Sequence, residues 1–277
     1  MFDANAIKYA VLGHPIGHSR SPEIQNLLFE MTDYNGVYMA FDMPPEKLDD
    51  ALPFFKEYFK GFNCTIPLKE KIIPYLDLLD ARAKWCGSVN TVKVRDGKLY
   101  GYSTDGIGLT GALEMADIPL DGGDVLICGA GGVARVALFE ALSRGCRVTI
   151  AARRLEQAEL LRRDAADGFP GSTVSCCTLS EIKGSFSLLL QCTPVGMTPK
   201  AGEMPVSKDV VSQCAAIFDT IYSPKETLLV QTAKTLGKKA AGGLDMLILQ
   251  AVAAQEVWRE TKFEKSLIKS LLDGVKL

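Results

Sequence analysis

The sequence has few histidines, no surplus of charge of either sign and no long apolar run, and each lack excludes a class of protein. His14 and His18 are its only histidines, and its eight scattered cysteines form no CxxC pair, so we expect no metal site. Lys and Arg number 31 against 33 Asp and Glu, which gives no basic surplus for nucleic acid. No apolar run reaches the roughly 18 residues of a membrane span.

The N-terminal segment MFDANAIKYAVLG carries an early acid and lacks the cationic and apolar stretches of a secretory signal peptide. In a chain without such a signal, the eight cysteines are expected to be reduced thiols. We therefore expect a cytoplasmic protein whose partners are small molecules, not nucleic acid or a membrane. Its oligomeric state stays open between a monomer and a homodimer.

The residues that are present predict an α/β protein. Apolar residues make up 47% and charged residues 23% of the 277, as in an ordinary globular protein, and this length suits two domains or one large one. Apolar strand-like runs alternate with amphipathic helical runs from end to end, which is typical of an α/β fold. The turn-forming cluster at 119–123 is the best candidate for an internal boundary.

The individual elements can be placed along the chain from these runs. Strands are predicted over 8–13, 37–43, 61–67, 124–128, 147–151, 185–194 and 215–224, with a hairpin around Asp96 and Gly97. Helices are predicted over 21–32, 46–59, 106–116, 133–143 and 244–260, followed by a shorter last one. Pro53 is expected to interrupt or start the second of these helices, and two short helices are expected within 69–85.

A glycine-rich loop follows the strand at 124–128 and leads into the next helix. Its residues are Gly129, Ala130, Gly131, Gly132 and Val133. Glycine there lets the backbone turn tightly and lets a pyrophosphate approach the first amides of the helix. Because a second strand follows at the right distance, the loop predicts dinucleotide binding, although a tight turn without a ligand would look the same.

The residues after the second strand of that unit indicate which dinucleotide is bound. An acid there would bind the ribose hydroxyls of NAD, but the chain reads Ala152, Arg153, Arg154. A guanidinium suits the 2′-phosphate of NADP, which an acid would repel. We therefore predict NADP, the alternative being two arginines on a solvated loop.

Small polar residues follow the predicted strands of the N-terminal half, in GHSRSP, FNCTIPLKE, SVNTV and GYSTDG. Ligands of parallel sheets bind beyond the carboxyl ends of the strands, so these segments are expected to share a cleft. Lys69 and Asp105 are the charged pair among them. Each motif alone also fits a strand or helix cap. Neutral side chains that suit a hydroxylated ligand complete the set: Ser19, Ser21, Asn63, Thr65, Asn90 and Thr91.

Together and in this order, the motifs resemble those of the shikimate dehydrogenase family from about residue 8 to residue 260. HSRSP resembles the paired-serine motif of that family, NCTIPLK its Asn-Thr-Pro-Lys motif, and GSVNT and STDG its two further polar motifs. GAGGVAR is similar to the nucleotide loop and CTPVGM to the nicotinamide-side loop. DTIYSPKET and GGLDMLILQA are similar to the two C-terminal motifs. The pair Tyr102-Ser103, the segment Ala152-Arg153-Arg154 and the segment Gln191-Cys192-Thr193 depart from the usual family residues.

The resemblance implies a fold and an activity. The fold is an α/β substrate-binding catalytic domain over 1–106 and a Rossmann-type dinucleotide-binding domain over 107–243, with C-terminal helices over 244–277 that return to the first domain. The activity is the reversible NADPH-dependent reduction of 3-dehydroshikimate to shikimate, in aromatic amino-acid and chorismate biosynthesis. Two alternatives stay open: a quinate/shikimate dehydrogenase that uses NAD or both cofactors, and a non-catalytic sensor of shikimate or NADPH.

The resemblance also implies roles for single residues. Lys69 is the expected proton donor and Asp105 the residue that orients it, although which of the two formally carries the proton stays open. Both histidines are expected to be structural. Ser19 and Ser21 are expected to hold the substrate carboxylate, and the other implied substrate ligands are Asn63, Thr65, Asn90, Asp105, Tyr222 and Gln250. Beyond the glycine loop and the arginines, the implied cofactor contacts are Thr193, Met197 and Gly243.

Overall fold

The computed structural model describes residues 2–275 and divides them into two compact units. The first unit runs up to Ile107 and resumes at Ile248, and the second unit is Gly108–Leu247. Each unit contains one six-stranded sheet. Within the described residues, no helix combines the length and the apolar character that crossing a bilayer would require.

Six strands form the sheet of the first unit: β1 (Ile7–Gly13), β2 (Gly36–Asp42), β3 (Gly61–Cys64), β4 (Leu78–Leu79), β5 (Thr91–Arg95) and β6 (Lys98–Tyr102). They lie in the order β2-β1-β3-β5-β6-β4. The strand β1 is parallel to both β2 and β3, whereas β5 is antiparallel to β3 and to β6. The β5–β6 hairpin confirms the turn predicted at Asp96 and Gly97.

Four helices accompany this sheet: α1 (Ser21–Met31), α2 (Leu48–Tyr58), α3 (Leu68–Lys71) and α4 (Ala81–Cys86). The expectation that Pro53 would interrupt or start a helix is wrong, because α2 continues through it. Leu48, Leu52 and Phe55 are buried in the core on one face of α2, and this packing holds the helix together across the missing amide donor.

One further prediction for the first unit needs correction and another is incomplete. The third strand ends at Cys64 and not at residue 67, because the next three residues form a turn in which the Leu68 amide donates to the Thr65 carbonyl at 2.7 Å. The two short helices predicted within 69–85 are α3 and α4. Between them the segment also contains a short 3-10 turn and β4, which pairs in parallel with β6.

The second unit opens with α5 (Asp105–Met115), whose first residues still belong to the first unit. Its strands are β7 (Asp124–Cys128), β8 (Arg147–Ala152), β9 (Val174–Thr178), β10 (Phe186–Gln191), β11 (Cys214–Asp219) and β12 (Lys239–Ala241). They form an all-parallel sheet in the order β12-β11-β10-β7-β8-β9. The chain thus builds outward from β7 to one edge and then from β10 to the other, which is the strand order of the Rossmann fold.

The helices of the second unit are α6 (Gly132–Leu142), α7 (Leu155–Gly168), α8 (Lys208–Ser212) and α9 (Leu228–Thr235). The sequence suggested a boundary between the units at the turn cluster 119–123, and this prediction is wrong, because the second unit already begins at Gly108. The cluster is hydrogen-bonded into the second unit, since the Gly122 amide donates to the Arg144 carbonyl at 3.1 Å and the Arg147 amide donates to the Gly123 carbonyl at 3.0 Å.

The last two helices are α10 (Leu244–Arg259) and α11 (Lys265–Gly274). The part of α10 from Ile248 onward packs within the first unit, where Trp258 stacks on Tyr9 with 4.9 Å between ring centroids. The indole Nε1 also donates to the Val92 carbonyl at 2.9 Å. A Cβ on Gly61 would lie 2.2 Å from that nitrogen, so only glycine lets β3 run beneath the indole.

Candidate active site

The loop between β1 and α1 carries the two serines that the sequence analysis singled out. Ser21 is the first residue of α1, and its amide donates to the Ser19 hydroxyl oxygen at 3.3 Å. Pro22 follows directly, as is common in the first turn of a helix, because proline has no amide hydrogen to leave unpaired. Both serines are half-buried, so their hydroxyls lie at the helix start where a ligand can reach them.

Lys69 and Asp105 form an ion pair, although 36 residues separate them in the chain. Lys69 Nζ donates to Asp105 Oδ2 at 2.6 Å, and the two side chains are 26% and 13% exposed. Lys69 lies in α3 just after β3, and its carbonyl accepts from the Val89 amide at 2.8 Å, which ties α3 to the start of β5. Asp105 is the first residue of α5. The pair is therefore sheltered from solvent but not sealed off.

Asn90 connects this pair to the rest of the polar cluster. Its carboxamide is 3% exposed, and Nδ2 lies 2.8 Å from Asp105 Oδ1, 3.0 Å from Thr104 Oγ1 and 3.3 Å from Gln250 Oε1. Its Oδ1 accepts from the Thr104 amide at 2.7 Å. The structure thus brings four of the predicted residues, Lys69, Asp105, Asn90 and Gln250, into one hydrogen-bonded network.

Asn63 lies beside this network on β3, and most of the hydrogen-bonding groups of its carboxamide already have partners. Its Nδ2 donates to the Asn90 carbonyl at 2.8 Å and to Thr91 Oγ1 at 3.0 Å. Its Oδ1 accepts from the Tyr38 phenol at 2.6 Å. Thr65, which follows β3, is half-buried, and its amide donates to the Leu12 carbonyl at 2.9 Å.

Two residues of this cluster, Tyr38 and Thr104, were not predicted from the sequence as site residues. Thr104 stands in the STDG run, but its hydrogen bonds to Asn90 could not be read from a run of four letters. Tyr38 stands in an apolar-looking strand without any polar motif. Burial raises the pKa of the Tyr38 phenol well above its usual range, a shift to which Cys64 adds and which a hydrogen bond with Ser21 opposes. The phenol is therefore a neutral hydrogen-bonding group.

Cys64 ends β3 and points to no thiol chemistry. Burial raises the pKa of its thiol to about 12, against the opposing effect of the nearby Lys69 ammonium. A thiol with so high a pKa is a poor nucleophile at neutral pH. Among residues 2–275, no group of three His, Cys, Asp or Glu side chains is arranged to hold a metal ion.

In the second unit, the glycine loop joins β7 to α6. Gly129 has φ +116°, and a Cβ there would lie 3.0 Å from the Cys192 carbonyl oxygen, so the position requires glycine. Gly131 and Gly132 are exposed, and a Cβ on either would meet open space. The first amides of α6 have no partner within the helix. This combination of bare backbone and helix start fits a pyrophosphate, with Ala130 and Val133 completing the loop.

The two arginines follow β8 directly and are exposed. Arg154 Nε donates to Gln157 Oε1 at 3.2 Å. The strand ends at the buried Ala152, so no carboxylate stands at its carboxyl end. The positive charge of Arg153 and Arg154 therefore fits a phosphate at this place better than a pair of ribose hydroxyls.

Thr193 and Met197 lie on the loop that follows β10. Met197 is 46% exposed, unusual for so large an apolar side chain. The buried Gln191 shapes the start of the loop, since its Nε2 donates to Thr193 Oγ1 at 2.9 Å and to the Val195 carbonyl at 3.0 Å. Gln191, one of the residues that depart from the usual family pattern, thus makes several hydrogen bonds within its own loop.

Asp219, at the end of β11, holds the next loop, which carries Tyr222. Its Oδ1 accepts from the Ile221 amide at 3.0 Å, and its Oδ2 accepts from the Thr227 hydroxyl at 2.7 Å. Burial raises the pKa of the Asp219 carboxyl to about 6, although both hydrogen bonds lower it. Asp219 belongs to the segment DTIYSPKET, but nothing in the sequence alone indicated a role for the aspartate itself.

Gly243 belongs to the same arrangement. Its amide donates to the Ile221 carbonyl at 2.9 Å, and a Cβ there would lie 2.2 Å from the Thr220 carbonyl oxygen. Tyr222 is half-buried on the loop between these contacts. The second unit thus brings Tyr222 and Gly243 to neighbouring backbone positions.

Comparisons with known proteins agree with these motifs. A family model described as "Shikimate dehydrogenase substrate binding domain" matches residues 11–92. The chain is similar to a shikimate dehydrogenase (NADP(+)) of Caldanaerobacter subterraneus subsp. tengcongensis, which is 36% identical over 278 residues and covers 98% of both chains.

Two solved structures show the same similarity. A crystal structure of a shikimate dehydrogenase in complex with NADP+ is 35% identical with a TM-score of 0.93, covering 100% of this chain and 98% of the other. The shikimate 5-dehydrogenase of Thermus thermophilus, in complex with NADP(H) and shikimate, is 31% identical with a TM-score of 0.86, covering 96% and 98%.

The raised pKa of Asp219 predicts how stability changes with pH. The native carboxyl binds a proton that the unfolded chain has already released between pH about 4 and 6, so the free energy of unfolding falls as pH rises through that window. Asp219→Asn removes this term, which is on the order of 3 kcal/mol. Relative to the variant, the wild type should therefore lose stability between pH 4 and 7, measured by urea denaturation. Asp167→Asn, an exposed carboxylate on α7, is the control and should follow the wild-type profile. Parallel curves for wild type and Asp219→Asn would contradict the assignment.

Proposed function

The chain belongs to the shikimate dehydrogenase family, and from this we propose that it reduces 3-dehydroshikimate to shikimate with NADPH and catalyses the reverse oxidation with NADP+. The observation that carries the proposal is the 2.6 Å ion pair of Lys69 and Asp105 beside the Asn90 carboxamide. An ammonium and a carboxylate among amides can bind a hydroxylated ring and move a proton on one of its oxygens.

The proposal divides the work along the chain. Residues 1–106 bind the substrate, and residues 107–243 bind the dinucleotide. The C-terminal helices over 244–277 return to the substrate domain and supply Gln250. The hydrogen bond between Asn90 Nδ2 and Gln250 Oε1 supports this last point, because it lies within the first unit.

Ser19 and Ser21 hold the substrate carboxylate in this proposal. Two neutral hydroxyls supply the hydrogen bonds, and α1 begins at Ser21 with its amide groups and the positive end of its dipole toward the anion. No cation at this place is then needed for the carboxylate to be bound.

The ring hydroxyls are bound by the remaining polar residues. Lys69 and Asp105 face one hydroxyl, at the carbon that is oxidised. Because both donors of Asn63 Nδ2 already have partners, Asn63 offers the ring only the second lone pair of Oδ1. Tyr222 is assigned as a substrate ligand only because the family resemblance implies it. The ligands assigned to the other hydroxyls are Asn63, Thr65, Asn90, Asp105 and Gln250.

Proton transfer is the step that the chain itself performs. In the direction of reduction, the Lys69 ammonium donates a proton from Nζ to the ketone oxygen and stabilises its developing negative charge. Asp105 holds Nζ in place through Oδ2 and is itself held by Asn90 through Oδ1. Reduced NADP supplies the hydride when it is bound.

The second unit offers the residues to hold NADP. The glycine loop fits the pyrophosphate because Gly131 and Gly132 leave open space at the start of α6. Arg153 and Arg154 are assigned to the 2′-phosphate, beside Ala152. The nicotinamide is assigned to Thr193, Met197 and Gly243. The remaining loop contacts are Gly129, Ala130 and Val133.

The partners of the chain in this proposal are small molecules, the substrate and NADP. We place the reaction in the cytoplasm, because all eight cysteines are free thiols, as a reducing compartment keeps them. The proposal holds equally for a monomer and for a homodimer, since every residue assigned to it belongs to one chain.

Lys69→Ala tests the proton-transfer step. Removing a positioned proton donor should lower kcat with shikimate and NADP+ at least ~100-fold, with KM for shikimate changing little. Ser21→Ala should do the reverse, raising KM for shikimate roughly tenfold with a smaller loss of kcat. Lys71→Ala, an exposed lysine on the same short helix, is the control and should behave as wild type. Wild-type turnover by Lys69→Ala would show that Lys69 takes no part in the chemistry.

Arg153→Ala tests the choice of cofactor. Loss of a charge-assisted contact should raise KM for NADP+ roughly ten- to a hundred-fold and leave KM for NAD+ nearly unchanged. Steady-state kinetics with each cofactor at saturating shikimate give both values. Arg163→Ala, exposed on α7, controls for the loss of one positive charge from this unit. An equal rise for both cofactors would mean that Arg153 shapes its loop and does not contact the phosphate.

A further inference from the structure

Tyr38 lies in the middle of β2, and no motif of the sequence includes it. Tyr38 is 2% exposed, and its hydroxyl donates to Asn63 Oδ1 at 2.6 Å. The buried phenol therefore contacts a residue that the proposed function assigns to the ring of the substrate. Asn63 lies near the end of β3.

The bond from Tyr38 fixes the orientation of the Asn63 carboxamide. With Oδ1 toward the phenol, Nδ2 donates to the Asn90 carbonyl and to Thr91 Oγ1. A flipped carboxamide would set Oδ1 against the Asn90 carbonyl oxygen, two acceptors in contact. Without the phenol, Oδ1 loses its donor and the carboxamide loses one of the bonds that define this orientation.

The place of Tyr38 itself does not depend on its hydroxyl. The Tyr38 amide donates to Asn26 Oδ1 at 2.9 Å, and Asn26 Nδ2 donates to the Tyr38 carbonyl at 3.0 Å. Asn26 lies on α1, one turn beyond Ser21, so these bonds set β2 against the start of α1. The ring packs against Trp258 at 6.1 Å between centroids. A phenylalanine would therefore keep the ring where it is and remove only the oxygen.

The geometry points to Tyr38 as a positioning residue of the substrate site: its hydroxyl holds the Asn63 carboxamide in one orientation. The inference rests on the proposed function, which assigns Asn63 to the ring of the substrate. A substrate gains affinity when a group that binds it is held in place before it arrives. Tyr38 does not contact the reacting atoms, so its loss weakens binding more than it slows the chemical step.

Tyr38→Phe and Tyr9→Phe form a matched pair for the test. Tyr9 stands directly opposite Tyr38 in the β1–β2 register, is equally buried, and packs on the same Trp258. Its hydroxyl, however, meets the Tyr34 hydroxyl at 3.0 Å and none of the assigned substrate ligands. The two variants thus remove the same atom from the same aromatic cluster, once inside the polar network and once outside it.

Steady-state kinetics with shikimate and NADP+ should separate them. For Tyr38→Phe we expect KM for shikimate to rise roughly tenfold, kcat to stay within a few-fold and KM for NADP+ to stay unchanged. Tyr9→Phe should keep all three values. In the double variant Tyr38→Phe/Asn63→Ala, the rise in KM should be smaller than the product of the single rises, because the effect of Tyr38 acts through Asn63.

The contrary outcomes are distinct. An unchanged KM in Tyr38→Phe, an equal rise in both tyrosine variants, or a fully multiplicative double variant would overturn the positioning role while leaving the proposed function standing. An unaltered protein that does not turn over shikimate at all would overturn the proposed function, and this inference with it. Urea denaturation of both single variants identifies a general loosening, which would lower the stability of each and raise KM in each.

Discussion

The buried carboxamide of Asn90 is the constraint on which the site of the first unit depends. A buried amide left without partners costs about 1–3 kcal/mol, so the residues around Asn90 must meet its donors and its acceptor. Three residues from two parts of the chain do so: Thr104 just before α5, Asp105 at the start of α5, and Gln250 on α10. Asp105 in turn accepts a hydrogen bond from Lys69 Nζ, which fixes the position of the Lys69 ammonium. The requirement to satisfy one amide thus assembles groups that lie far apart in the chain.

The second unit meets its own constraint through backbone packing. Gly129 and Gly243 each stand where a Cβ would press on a carbonyl oxygen, of Cys192 and Thr220 respectively. Gly131 and Gly132, by contrast, leave open space at the start of α6, where a dinucleotide can approach the first amides of the helix. The buried Asp219 accepts two hydrogen bonds, and its desolvation raises the pKa of its own carboxyl. The hydrogen bonds of Asp219 therefore order the loop after β11, but the buried carboxyl lowers the free energy of unfolding as the pH rises.

The fold could be predicted from the sequence where an element has a strong apolar pattern. The runs that became β1, β7 and β10 are nearly continuous because both faces of these strands are covered, and the hairpin at Asp96 and Gly97 follows from its turn residues. The edge strands β9 and β12 carry little such signal, and β4 has only two residues. Pro53 is a local signal that the packing of α2 overrides.

The same limit applies to the site. Residues in polar motifs could be found, since serine, asparagine, lysine and aspartate at strand ends are unusual enough to notice. Tyr38 could not, because a tyrosine in an apolar strand looks like core, and its contact with Asn63 spans 25 residues. Steady-state oxidation of shikimate by NADP+ with the unaltered protein tests the proposed function most directly, with quinate and NAD+ measured in parallel. We expect turnover with the highest kcat/KM for shikimate and NADP+. No turnover with any combination, despite an intact fold and measurable binding of shikimate, would contradict this function and indicate a sensor. A preference for quinate or NAD+ would contradict the assigned substrate or cofactor.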